Sequence, residues 1–143
     1  MITFSVVETR FNLKQKLVVR NWIKSIALSE GKVAGDIAYI FCNDEYLGKM
    51  NEQYLKHHTL TDIITFDYSE AGKVSGDIFI SIDRVKENAV SFSNSFNQEL
   101  GRVMAHGVLH LCGYKDKTAE EKKLMRSKED FYLVSHPIIS ENS

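Results

Sequence analysis

Thr61-Asp62-Ile63-Ile64-Thr65-Phe66 and Gly76-Asp77-Ile78-Phe79-Ile80-Ser81 decide the fold of this chain. Both runs are rich in β-branched and aromatic residues, which suit a pleated, half-buried surface. The link between them is short, and Glu70 to Val74, with Gly72, reads as a turn. The two runs therefore pair as a hairpin, and the sheet holds at least one antiparallel pairing.

Outward from the hairpin, the chain alternates between strand and helix signals. Ile2 to Val7 reads as a short strand and Asn12 to Ser29 as a helix. In that helix Leu13, Leu17, Ile23, Ile26 and Ala27 recur near helical spacing, and Asn12 is placed to cap it. Asp36 to Cys42 reads as a largely buried strand, after which Asn43 or Asp44 caps a helix with Leu47, Met50 and Tyr54 on one side. Beyond the hairpin, Val85, Ala89, Phe92 and Phe96 form a buried helical stripe; Ser95 or Asn97 then restarts a helix through Leu111, and Ser95-Phe96-Asn97-Gln98 fits a capping box. A last helix covers about Thr118 to Val134, charged on its exposed side. The order β-α-β-α-β-β-α-α-α predicts an α+β fold, a mixed sheet of about four strands packed with about five helices.

The chain has 143 residues, no internal repeat and no low-complexity tract, so residues 1–143 read as one domain. No apolar run approaches the roughly 20 residues of a membrane span, and the N-terminus lacks a basic region followed by an apolar core. A cytoplasmic protein without a membrane partner is expected. Cys42 and Cys112 offer no disulfide framework and read as buried small apolar residues. The 18 basic and 19 acidic residues leave a net charge of −1, which does not advertise a nucleic-acid binder but leaves room for a local basic patch.

The chemistry gathers in His106-Gly107-Val108-Leu109-His110-Leu111-Cys112-Gly113-Tyr114-Lys115-Asp116. Two histidines four apart on a helix project from one face, one turn apart. Gly113 stands where a left-handed turn would end the helix and swing Asp116 back toward them. Two nitrogens and a carboxylate oxygen make a three-ligand zinc site with an open fourth position, the catalytic type. The competing reading leaves the histidines facing solvent or bonded to backbone carbonyls, with Asp116 capping the last helix. Gly107 occupies the position where zinc proteases of similar rhythm keep a Glu as general base, which argues against a peptidase. Phosphodiester cleavage needs cations around the substrate, and Arg102, Lys115 and Lys117 are candidates to position a phosphate.

The segment from His106 through Tyr114 resembles the signature of the YbeY family, His-Gly-x-Leu-His-Leu-x-Gly-Tyr-Asp-His. Met50-Asn51 with Tyr54 is similar to that family's Leu-Asn-x-x-Tyr element. Thr61 to Phe66 is similar to its Thr-Asp-Val-Leu-Ser-Phe strand, and Gly76 to Ser81 to its Gly-Asp-Ile-x-Ile-Ser strand. The resemblance implies a single-strand-specific endoribonuclease acting in ribosomal RNA processing, in late small-subunit 3′-end maturation and ribosome biogenesis. It implies one zinc ion per chain, activating water against a phosphodiester, with ribosomal RNA and the small subunit or its associated proteins as partners. His106, His110 and Asp116 would hold the metal. Asp116 departs from the family pattern, whose third ligand is a histidine, and Leu55 stands where the family has an arginine. Lys56, His57 or His58 is then expected to take over the phosphate contact. Thr61, Asp62 and Asp77 either cap turns at the sheet edge or line the cleft beside the metal. The rival readings are a metal-dependent peptidase or amidase and a non-catalytic ribosome-associated factor with a structural metal.

Overall fold

The hairpin forms the antiparallel edge of a four-stranded sheet. In the computed structural model, which describes residues 1–55 and 61–136, the elements run β1 Ile2–Val6, α1 Lys16–Ser29, β2 Val33–Cys42, α2 Asp44–Leu55, β3 Ile63–Asp67, β4 Lys73–Ser81, α3 Ile82–Ser91, α4 Phe96–Leu111 and α5 Ala119–Leu133. The sheet order is β1-β2-β4-β3. β1 and β4 each pair parallel with β2, and β3 pairs antiparallel with β4, placing Ile63 opposite Ile80 and Phe66 opposite Asp77. The expected mixed α+β architecture is what forms. At the hairpin tip, Glu70 and Lys73 exchange backbone hydrogen bonds of 3.0 and 2.8 Å. Ala71 and Gly72 between them both take positive φ, the turn geometry that matches the twist of paired strands.

One face of the sheet carries the main core. Ile37, Tyr39 and Phe41 of β2 and Val74, Ile78 and Ile80 of β4 pack there with α1 and α4. α4 comes close enough that a Cβ on Gly107 would stand 2.8 Å from Ile78 Cγ2 and 3.2 Å from Ile63 Cδ1. The buried Tyr39 hydroxyl donates to the Met104 carbonyl at 2.8 Å, pinning the same helix to the central strand. A smaller cluster on the opposite side joins Leu47 of α2 to Cys42 and Ile64, with Met50, Phe66 and Phe79 beside them. α5 is tied in through the Trp22 indole, which donates to the Tyr132 carbonyl at 3.1 Å.

The helix starts follow local chemistry. Ser95 and Gln98 form the expected capping box on α4, and Thr118 with Glu121 forms another on α5. Asn43 accepts from the Tyr46 backbone at 2.8 Å and so begins α2. Asn12 caps nothing comparable: α1 begins at Lys16, because Gln15 is left-handed (φ 55°) and interrupts helical geometry there. Leu17 is exposed, whereas Val19, Trp22, Ile23, Ile26 and Ala27 form the buried face. The stripe through Val85 and Ala89 also stops short. Phe92 is the C-cap of α3 and is 60% exposed, while Phe96 opens α4 and packs against the core. Tyr54 is likewise exposed, its ring edge-on to Phe66. Cys42 is buried and Cys112 only partly so. Among the described residues no helix is long and apolar enough to cross a membrane.

Gly107→Ala tests the seating of α4. Overpacking against Ile78 is expected to outweigh the gain in helix propensity and to cost about 1–2 kcal/mol of stability, read by urea unfolding. A gain in stability would mean that the helix seats without strain around a methyl group.

Candidate metal centre and cleft

The histidine pair sits in the last two turns of α4, and the way the helix ends brings the third group to it. Gly113 takes φ +109°; its N–H bonds the His110 carbonyl at 3.0 Å, and the Tyr114 N–H bonds the Leu109 carbonyl at 3.1 Å. That paired ending reverses the chain and satisfies carbonyls the helix would leave open. Asp116 is thereby delivered inward. Its Oδ2 lies 3.2 Å from His106 Nε2 and 3.6 Å from His110 Nε2. One ligand atom from each of the three residues lies within 4.8 Å of the others. Thr118, not Asp116, caps α5, which removes the competing role considered for this aspartate.

Each imidazole is oriented from behind. His106 Nδ1 lies 2.7 Å from Glu129 Oε2, and His110 Nδ1 lies 2.9 Å from the Tyr114 carbonyl oxygen. A carboxylate and a carbonyl only accept, so both Nδ1 atoms carry the hydrogen. In the neutral rings the Nε2 lone pairs then face Asp116. Burial opposes protonation of His106, but the Glu129 hydrogen bond and charge, with Asp116 and Asp62, hold its pKa above the ordinary value. At His110 burial lowers the pKa, and the charge of His106 adds to the effect.

Glu129 is the residue that sequence reasoning missed. It lies on α5 with Met125 and Tyr132 at helical spacing, all three buried, and a carboxylate on a buried stripe was the available signal. Its other oxygen accepts from Arg102 at 2.9 Å, while a second Arg102 nitrogen pairs with Asp130 at 2.6 Å. Arg102 therefore reaches His106 through Glu129.

The cluster opens into a cleft of about 860 Å³ between α4, β3 and the flanking α3 and α5. Thr61, Asp62, Arg102 and Lys117 line it, whereas Lys115 and Asp77 do not. Thr61 also makes the turn contact expected of it, donating from Oγ1 to the Ile63 carbonyl at 3.0 Å. Asp77 instead accepts from the Tyr68 hydroxyl at 3.3 Å, and the charge of Lys115 acts on Glu121. Lys56, His57 and His58 lie outside the described residues. No sequence pattern pointed to Glu99, a buried carboxylate in the cleft with Oε1 lacking a hydrogen bond among the described residues. Burial raises the carboxyl pKa values of both Glu99 and Asp62.

A histidine pair and a carboxylate converging on one cleft of an α+β domain form a group that could hold a metal ion. The chain belongs to the endoribonuclease YbeY family, whose family model matches residues 4–136. It is 54% identical over 130 residues to endoribonuclease YbeY of Flavobacterium johnsoniae, covering 91% of this chain and 93% of that one. To the protein of the same name from Flavobacterium psychrophilum it is 55% identical, covering 91% and 92%. The fold also resembles the solution structure of a Thermotoga maritima protein, at TM-score 0.61 and 28% identity over 100% of this chain and 97% of that one.

The loop carrying Asp116 is itself clamped. Glu30, just past α1, accepts from the hydroxyls of Tyr114 and Tyr132 and, at 3.1 Å, from Lys128 Nζ. Burial works against its ionisation, yet these hydrogen bonds and the Lys128 charge outweigh burial and hold the carboxyl below its ordinary value of 4.5. A depressed pKa means that the clamp is fully present above about pH 4.5 and is lost as pH falls through the lower folded value. Glu30→Gln is expected to cost about 1–3 kcal/mol near neutrality, with the gap to wild type closing in acid. Chemical denaturation across that range checks it; a gap independent of pH would assign the loss to packing alone.

Proposed function

We propose that this chain is a zinc-dependent endoribonuclease of the cytoplasm that cuts single-stranded segments of ribosomal RNA during small-subunit 3′-end maturation. The observation that carries the reading is the convergence of two imidazole Nε2 atoms and the Asp116 carboxylate, with acceptors behind both rings. Family membership supports the reaction class. That donor set fits a divalent metal: neutral nitrogens and one anionic oxygen suit zinc, and the oxygen also admits harder ions such as Mn²⁺. A divalent ion held there supplies Lewis acidity, polarising a phosphoryl oxygen and bringing water toward ionisation near neutral pH.

The surrounding residues have separate tasks. Glu129 and the Tyr114 carbonyl orient the two rings, and Arg102 offsets the charge of Glu129. Asp62 and Glu99, whose pKa values burial raises, are cleft carboxyls able to accept a proton. Phosphate positioning by Arg102 or Lys115, the sequence expectation, is disfavoured by the two ion pairs of Arg102 and by the place of Lys115 outside the cleft lining. The peptidase alternative loses ground on steric fact. Position 107 faces Ile78 and Ile63, so a glutamate there would enter the core and not the cleft.

Purified protein is expected to hold about one metal per chain, and His110→Ala to lose it while keeping its circular dichroism spectrum. Full metal content in that variant would sink the assignment. Asp116→His is expected to retain metal, since histidine also supplies a nitrogen ligand at the third position. Single-stranded RNA oligonucleotides should be cleaved, chelator should abolish cleavage, and peptide substrates should remain intact. Metal-loaded protein that cuts no RNA in any ribosomal sequence would favour a non-catalytic ribosome-associated factor.

A further inference from the structure

We propose that single-stranded RNA crosses the cleft with its phosphates on Lys122 and Arg126 of α5 and a base stacked on Phe92 at the end of α3. The proposal rests on the endoribonuclease reading and says how the substrate lies. All three side chains line the cleft that contains the metal cluster. Lys122 and Arg126 are four apart, hence one helical turn apart on the same side of α5. They continue, toward the helix start, the stripe on which Glu129 reaches His106. The cations thus lead outward from the metal centre.

Their availability separates them from Arg102, while Lys117, just before α5, adds a further basic group to the same lining. Arg102 is consumed by Glu129 and Asp130. Among the described residues Lys122 and Arg126 form no ion pair, and both are exposed. A phosphate would meet their charges without first displacing a partner. Of the acidic groups lining the cleft (Asp62, Asp67, Glu99, Asp116 and Glu129), Glu129 is already offset by Arg102.

The other wall has what a base needs. α3 and α5 both pack on α4, and Phe92, on a different element from the α5 cations, lines the same cleft. Its ring, expected from sequence to be buried, is 60% exposed. An unstacked base covers such a ring at little cost, and stacking of this kind tolerates any base. A duplex keeps its bases inside and could not use this wall.

The test measures binding of a single-stranded 2′-O-methyl RNA, which resists cleavage, to metal-loaded protein at several salt concentrations. Lys122→Gln with Arg126→Gln should weaken binding at least tenfold at low salt. It should also flatten the plot of log affinity against log salt by about 0.7 for each phosphate no longer neutralised. Phe92→Ala should weaken binding about tenfold with the slope unchanged, and Phe92→Tyr should restore it. Lys24→Gln on the exposed side of α1, which removes a charge away from the cleft, should leave the slope as in wild type. A wild-type slope in the double variant overturns the phosphate placement, and wild-type affinity in Phe92→Ala overturns the stacking wall. Metal content is measured in every variant, so that departure of the ion is read separately from weakened RNA binding. Wild-type protein that binds no single-stranded RNA would sink the endoribonuclease reading itself, and this placement with it.

Discussion

Everything at the site hangs from the approach of α4 to the sheet at Gly107, where a single added carbon would lie 2.8 Å from Ile78. A side chain there would lift the helix off β3 and β4 and carry both histidines with it. The missing Cβ also fixes which side of the helix faces the core. Met104, Val108 and Leu111 are buried, while His106 and His110 are left at the lip of the cleft. The residue that looks like a lost catalytic base is thus a packing requirement.

On that seat, the centre is assembled from separate parts of the chain. α4 supplies the two rings, and its left-handed ending at Gly113 returns Asp116 to them. α5 supplies Glu129 behind His106, and the end of α1 supplies Glu30, which grips the tyrosine whose carbonyl holds His110. Each imidazole is oriented by a group that is itself held, which preorganises the pair. Several of these partners are partly buried charges, which persist because each is paired: Arg102 with Glu129, Lys128 with Glu30.

Much of this was legible in the residues. The hairpin, the order of elements, both histidines and the capping box at Ser95 follow from patterns of two, of three to four, and of short polar signals. The misreadings have local causes. Asn12 has the right chemistry for a cap, but a left-handed Gln15 intervenes, and no residue type announces that angle. Phe92 continues an apolar stripe in sequence, yet its helix has ended, so its ring swings out to the cleft. Tyr54 shares a helix side with Leu47 but is left exposed near the end of α2.

What the sequence by itself determined is the set of elements and the candidate group His106, His110 and Asp116, because helix and strand periods and the spacing His-x-x-x-His act over a few residues. The direction of Asp116 was open between two roles until the structure showed Thr118 capping α5 and Asp116 turned inward. The tertiary structure alone decided who stands behind the ligands and which cations are available. Glu129 lies 23 residues from His106, and Arg102 is 27 from the carboxylate that occupies it. Such pairings depend on how helices cross, which no local pattern encodes. A net charge of −1 said little about RNA for the same reason: packing, not composition, left Lys122 and Arg126 without an ion pair among the described residues beside the metal centre.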